Sequence, residues 1–239
     1  MHARQNKRRL RDNIFAIAGV LVVAALAATT QIFYFTSGPG MPTPEPSASA
    51  PAADGTNIGA PDASLAEGRV WTGELTINDI ALGIELDGVN APQATAAWVE
   101  GVADDYYVGK TCHRLANSAG FSFLQCGSLD GTGASDPDFS YGPIENAPAD
   151  GVYPAGTIAM ARSQDNAYSN GHQFFIVTAS TTLGTDSAGG YTVVGKVTSG
   201  LEKLIAQITA AGVDPATISS DGQSGAPLIP ASITSLTLQ

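Results

Sequence analysis

Between Ile14 and Phe35 the chain runs IFAIAGVLVVAALAATTQIFYF, 22 residues without a charged side chain. As a helix this stretch is about 33 Å long at about 1.5 Å per residue, enough to cross a hydrocarbon core about 30 Å thick. Arg4, Lys7, Arg8, Arg9 and Arg11 precede it, and the first 11 residues hold no Asp or Glu. Positive charge on that flank predicts that residues 1–13 stay in the cytoplasm and that the remainder lies across the membrane. Phe33, Tyr34 and Phe35 fall where an outer interface favours aromatic rings. The apolar run exceeds the 7–15 residues usual in the core of a cleaved signal peptide. The expectation is an uncleaved, single-pass anchor over residues 14–35 in the cell membrane, with an extracytoplasmic body.

Residues 36–68 change character: GPGMPTPEPSASAPAADG is rich in Pro, Ala, Ser and Gly and poor in large apolar side chains. Such a stretch buries too little surface to offset the entropy of ordering it, so it reads as a tether. The folded domain is expected over 69–239. Formal net charge is −11, but five of the 11 basic residues sit in the head, leaving six against 22 acidic residues in 12–239. A body that acidic repels phosphate backbones, which argues against a nucleic-acid partner.

Within the body, β-like runs at Val70–Ile77 and Ile80–Leu86 are separated by Asn78-Asp79. APQATAAWVEGVA places Ala94, Ala97, Trp98 and Val102 on one helical stripe, with Asn90 as its N-cap and Pro92 in the first turn. A second helix is expected over about 201–211, ending at Gly212, and a last strand over Ala231–Leu238. Short apolar runs fill 106–197. Many short strands with two helices predict a mainly β barrel or sandwich plugged by helices.

Both cysteines fall in one stretch, TCHRLANSAGFSFLQCG, beside His113. Cys112 and His113 are neighbours, so on a strand they point to opposite faces and cannot act as nucleophile and base. A metal site of Cys112, His113, Cys126 and His172 fails for the same reason and lacks metal-ligand spacing. GSLDGTG has no lysine after it, and no G-x-S-x-G elbow occurs. No metal or cofactor is expected. For an exported chain, two cysteines 14 apart across a hairpin predict a disulfide, Cys112–Cys126. The hairpin strands are expected at 112–116 and 121–126, with the turn near Asn117–Gly120.

His113-Arg114, Gln125-Cys126-Gly127, Gly131-Thr132-Gly133, Ala159-Met160-Ala161, Asn170-Gly171-His172-Gln173-Phe174-Phe175 and Val193-Val194-Gly195-Lys196-Val197 follow in that order. Their order and spacing, over nearly all of 70–238, resemble the cyclophilin family of peptidyl-prolyl cis–trans isomerases. The resemblance implies an eight-stranded antiparallel barrel capped by two helices. It implies Arg114 as the catalytic arginine, Gln125 as its partner, and Met160, Phe175 and Leu183 as a slot for the proline ring. Ala161, Arg162 and Gln173 would meet residues flanking that proline, with Arg162 exposed at the groove edge. The implied partners are proline-containing segments of exported or unfolded polypeptides, handled by a monomer. Strict alternation sets Gln125 on the face opposite Arg114 if Cys112 pairs with Cys126, so a bulge near Phe121–Phe123 is expected.

Three positions depart from the family pattern. Ser122 stands where an aromatic slot residue is usual, flanked by Phe121 and Phe123, so either the slot loses a wall or a neighbour fills it. Tyr191 replaces a histidine, and Thr182 a tryptophan. The loop GTDSAGG over 184–190 is longer than is common and is expected to be flexible. These changes keep a second reading open, a proline-segment binding module with little turnover.

Overall fold

A computed structural model describes residues 55–239. The anchor expected at 14–35 and the first part of the tether lie outside these residues. Among the described residues no helix is long and apolar enough to cross a membrane.

The strands are β1 (Val70–Ile77), β2 (Ile80–Asp87), β3 (Arg114–Ser118), β4 (Phe121–Cys126), β5 (Val152–Tyr153), β6 (Thr157–Met160), β7 (Phe174–Val177), β8 (Thr181–Thr182), β9 (Val193–Ser199), β10 (Ser224–Gly225) and β11 (Ile233–Leu238). Among the described residues two α-helices accompany them, α1 (Pro92–Ala103) and α2 (Leu201–Gln207). Nine strands among residues 55–239 form one sheet in the order β10-β3-β4-β7-β6-β9-β2-β1-β11, and β5 pairs with β8 apart from it. The resemblance implied eight strands; the antiparallel sheet has nine among the described residues, with β10, two residues long, at the β3 edge. At the far edge, backbone bonds from Gly109 to Ile233 and from Cys112 to Ala231 bring the chain leading into β3 against β11.

Period-two burial sorts the side chains into two layers. Ile80, Leu82, Ile84 and Leu86 alternate inward on β2. They join Leu75, Leu115, Leu124, Ile158, Met160, Phe174, Ile176 and the α1 residues Ala94, Ala97 and Trp98 in the main core. A smaller cluster lies on the other face of β3, β4, β6 and β7: Ala116, Phe123, Ala159, Phe175 and Val177, with Tyr153. The main core holds the fold together; the smaller cluster packs with Phe121, Leu183 and Tyr191 on the opposite face.

Several expectations change on inspection. Residues 55–68, expected as tether, lie on the body: Ile58 exchanges backbone bonds with Ser140 at 2.8 and 2.9 Å. Gln93 donates to the Pro61 carbonyl at 2.9 Å, and a 3₁₀ turn spans Ala63–Ala66. Composition misses this because the Ile58 and Pro61 contacts use backbone groups, which every residue carries, and Asn57 adds side-chain bonds to Gln93 and Gly142. Helix α2 stops at Gln207, and a separate 3₁₀ turn covers Thr209–Ala211, because Ile208 leaves helical geometry while burying its side chain.

Asn90 does not cap α1; its amide is taken up by Asp87 at 2.8 Å. The Glu145 carboxylate instead accepts the N–H groups of Gln93 and Ala94, both at 2.9 Å. An anion on orphan N–H groups also complements the helix dipole. Burial pushes the Glu145 carboxyl up against the opposing pull of those two donors. Glu145→Ala is expected to lower unfolding stability by about 1–2 kcal/mol, read as a reduced urea midpoint at unchanged slope. Glu145→Gln, which keeps an acceptor, should lose less; equal losses would show that packing and not capping matters there.

Candidate active site

The hairpin that carries the cysteines resolves the conflict over Gln125. Strand β3 begins at Arg114, and its register with β4 runs unbroken from Arg114–Gln125 to Ser118–Phe121, so the expected bulge near 121–123 does not form. Cys112 lies before the strand, where alternation does not apply, and still reaches Cys126 to form the disulfide. Arg114 and Gln125 are therefore direct cross-strand partners on one face.

That pairing extends into a row. Gln125 stands opposite Phe175 on β7, and Phe175 opposite Ala159 on β6. With strands about 4.8 Å apart, the guanidinium-bearing edge and the Phe175 ring face one groove roughly 10 Å across. Phe123, two residues before Gln125, shares this face; its ring centre is 5.3 Å from that of Phe175 and 5.0 Å from that of Phe121. Tyr191 meets Phe175 edge-on at 5.6 Å. Leu183, Phe121 and Ala161 pack on the same cluster, partly buried.

Polar side chains form a relay along the groove. Arg114 Nη1 donates to Gln125 Oε1 at 3.4 Å, and Gln125 Nε2 donates to Gln173 Oε1 at 3.0 Å. Gln173 Nε2 then donates to the carbonyls of Gly133 and Ala134. The guanidinium carbon also lies 5.2 Å from the centre of the Phe123 ring. A cavity of about 420 Å³ opens beyond Gln125 and Gln173, bordered by Ala161, Asn166 and His172.

Three sequence-expected residues lie elsewhere. Met160 faces the barrel interior, fully buried, and its thioether accepts the Trp98 indole N–H at 3.3 Å. Ser122 is also turned inward, bonded to Thr178 at 2.8 Å, while its backbone N–H donates to Thr181. Phe123, not Ser122, supplies an aromatic wall. Arg162 is not an exposed charge at the rim: its side chain is 1 % exposed and paired with Asp186. The 184–190 loop, expected to be flexible, is tied down by that arginine.

The profile of the family described as Cyclophilin type peptidyl-prolyl cis-trans isomerase/CLD matches residues 73–236. The chain belongs to that family. Among curated relatives, probable peptidyl-prolyl cis-trans isomerase B of Mycobacterium leprae is 30% identical over 187 residues, 72% of this chain. Its Mycobacterium tuberculosis counterpart is 29% identical over 176 residues. The chain spans 53–60% of the length of these relatives. A cyclophilin type isomerase of Cryptosporidium parvum superposes with a TM-score of 0.56 at 22% identity, over 72% of this chain and 98% of that one. A structure of that protein in the presence of the dipeptide Ala-Pro gives 0.54.

For this cyclophilin, His172 has a structural part at the cavity floor. Its ring stacks between Phe139 at 3.7 Å and Tyr106 at 3.8 Å. Desolvation by these rings lowers its pKa to about 4. The unfolded chain, with histidine near its ordinary value of about 6.5, binds the proton more readily, so stability is unaffected above that value and falls as pH drops towards 4. The expected loss between pH 7 and 4 is about 3 kcal/mol, at about 1.36 kcal/mol per pKa unit. Urea titrations at both pH values check this, and His172→Phe should remove most of the difference. A pH dependence unchanged in the variant would assign it to other groups.

Two neighbours of Arg114 escaped the sequence reading, Asp221 and Ser224. They lie more than 100 residues downstream, and no local pattern connects them. Phe123 was within reach, since simple alternation places it on the Gln125 face.

Proposed function

We propose that the chain is a peptidyl-prolyl cis–trans isomerase that accelerates rotation about X–Pro bonds without covalent chemistry. The observation that carries this reading is the row Arg114–Gln125–Phe175, a donor fork and an aromatic surface on one groove face. Rotation about the amide meets a barrier of roughly 18–20 kcal/mol because the C–N bond is partly double. The unaided step takes tens to hundreds of seconds. Lowering that barrier requires no nucleophile, base or metal. It requires a grip on the proline ring, here Phe175, Phe123 and Leu183, and donors that favour the twisted amide over the planar one. Arg114 offers fixed, permanently charged donors to the prolyl carbonyl and to the nitrogen as it loses conjugation. Gln125, Gln173 and the backbone at Ala161 orient the peptide, and Tyr191 walls the slot.

The substrates proposed are proline-containing segments of exported or unfolded polypeptides, neutral or basic to suit the acidic body. The basic head and the 22-residue apolar run support a single-pass membrane protein, cytoplasmic at its N-terminus, whose domain works as a monomer outside the membrane. Exchange NMR on an Ala-Pro peptide with the full chain in detergent tests the activity. Cross-peaks between cis and trans forms at catalytic protein concentration are the expected result. Peptide shifts on titration with no exchange would instead leave a proline-segment binding module, the reading that exposed Thr182 favours.

A further inference from the structure

Arg114 is held from a side that no hairpin residue occupies. Its Nε donates to Ser224 Oγ at 2.8 Å, and its Nη2 donates to Asp221 Oδ2 at 3.0 Å. Asp221 is itself fixed: its Oδ1 accepts the backbone N–H groups of Gln223 and Ser224, both at 2.9 Å. Its Oδ2 also accepts the Ser224 hydroxyl. This turn is docked on the edge of the sheet, because Ser224 and Gly225 form β10 against Ala116 and Leu115 of β3. Ser224 is fully buried, and Ser118 Oγ donates to Gln223 at 3.1 Å. The Ser224 hydroxyl first, then the two backbone donors, and last Arg114 hold the Asp221 carboxyl well below the usual carboxylate range. It is therefore charged wherever the protein is folded at neutral pH.

The count of donors gives this arrangement meaning. A guanidinium has five N–H groups. Ser224, Asp221 and Gln125 engage three, which leaves one on Nη1 and one on Nη2 for a substrate. The Arg114 side chain is 35% exposed. We propose that Asp221 and Ser224 are positioning residues for the isomerase reaction, a carboxylate–hydroxyl clamp that presets the plane of Arg114 so that its two uncommitted N–H groups address the peptide lying over Phe123 and Phe175. A long arginine side chain held only by Gln125 at 3.4 Å would sample other rotamers. Preset donors stabilise a transition state more than mobile ones, because no reorganisation is needed when the amide twists.

This inference rests on the isomerase reading, and one experiment separates the two. Exchange rates of an Ala-Pro peptide are measured over a concentration series with the full chain, Asp221→Ala, Asp221→Asn, Arg114→Ala and the Arg114→Ala/Asp221→Ala double variant. The ¹⁵N–¹H signal of the Arg114 Nε group is followed alongside. Asp221→Ala should lower kcat about tenfold with KM within twofold, and should shift and broaden the Nε signal. Asp221→Asn keeps an acceptor in the turn without the charge and should fall between; it also serves if the alanine variant folds poorly. In the double variant, activity should be no lower than with Arg114→Ala alone, since the clamp acts only through the arginine. Kinetics equal to or faster than the parent in both Asp221 variants, or a further tenfold fall in the double variant, would overturn the clamp. A parent with no exchange activity would sink the isomerase reading separately. The clamp would then be judged by peptide affinity and the Nε signal, and would fail if neither changed in Asp221→Asn.

Discussion

Alanine at position 114 should lower kcat/KM for Ala-Pro isomerisation by about 10²–10³, the range found when one preorganised donor is removed from a developing charge. The size follows from position. Arg114 is the only cation bonded within the Gln125–Gln173 relay among the described residues, and it lies over the Phe123 ring beside the Phe175 surface. Removing it leaves the grip on the proline ring but takes away the donors that distinguish a twisted amide from a planar one. The loss should therefore appear in kcat more than in KM. Arg114→Lys should recover little, because an ammonium lacks the planar fork that meets Ser224, Asp221 and Gln125 at once. Line-shape analysis of peptide exchange across a substrate series gives both constants. An alanine variant within threefold of the parent would remove Arg114 from the mechanism.

The largest stability effect is expected at Arg162. All five of its N–H groups are committed, two to the Asp186 carboxylate at 2.8 Å and three to the carbonyls of Ser163, Gly189 and Gly190. Its guanidinium also covers the Tyr191 ring. The Arg162 bonds, above all, hold the Asp186 carboxyl well below the usual carboxylate range. That contribution is complete above the ordinary value of about 3.9, declines progressively as pH falls below it, and is gone once pH has passed through the lowered one. Arg162→Ala takes the cation from the Asp186 carboxylate, which keeps the N–H groups of Asp165 and Ala188, and removes one donor from each of three carbonyls in a largely buried site. The expected loss is about 3–5 kcal/mol at pH 7, the range for breaking a buried ion pair from one side. Urea unfolding gives the magnitude. Hydrogen exchange at Asp186 and Gly189, whose amides bond each other's carbonyls, would show whether the loop is released. A loss below 1 kcal/mol would mean the loop holds itself.

Local pattern carried a good part of the fold. Alternation along Ile80–Asp87 follows from the period of a strand, and the stripe of Ala94, Ala97 and Trp98 from the period of a helix. The Cys112–Cys126 pairing was legible because both lie on one hairpin. Where the reading went astray, it treated the hairpin as regular past its true start. Cys112 and His113 precede the strand, so alternation does not carry the face of Cys112 on to Arg114. Met160 and Ser122 were placed in the slot by order alone, while their strand faces point inward.

Through its resemblance to the cyclophilins the chain offered Arg114 and Gln125 as candidates; what sequence alone determined about this protein is the acidic body, the hairpin with its disulfide and the two helices. These depend on charge, periodicity and spacing within some fifteen residues, so they can be read without coordinates. Tertiary structure alone decided that Glu145 caps α1, that Arg162 is a staple and not a rim charge, and that Asp221 and Ser224 grip Arg114. Each of these contacts joins residues about 24 to 110 positions apart. A charged group's role is set by which donors or acceptors surround it, and the closing of the sheet brings those partners within hydrogen-bond reach.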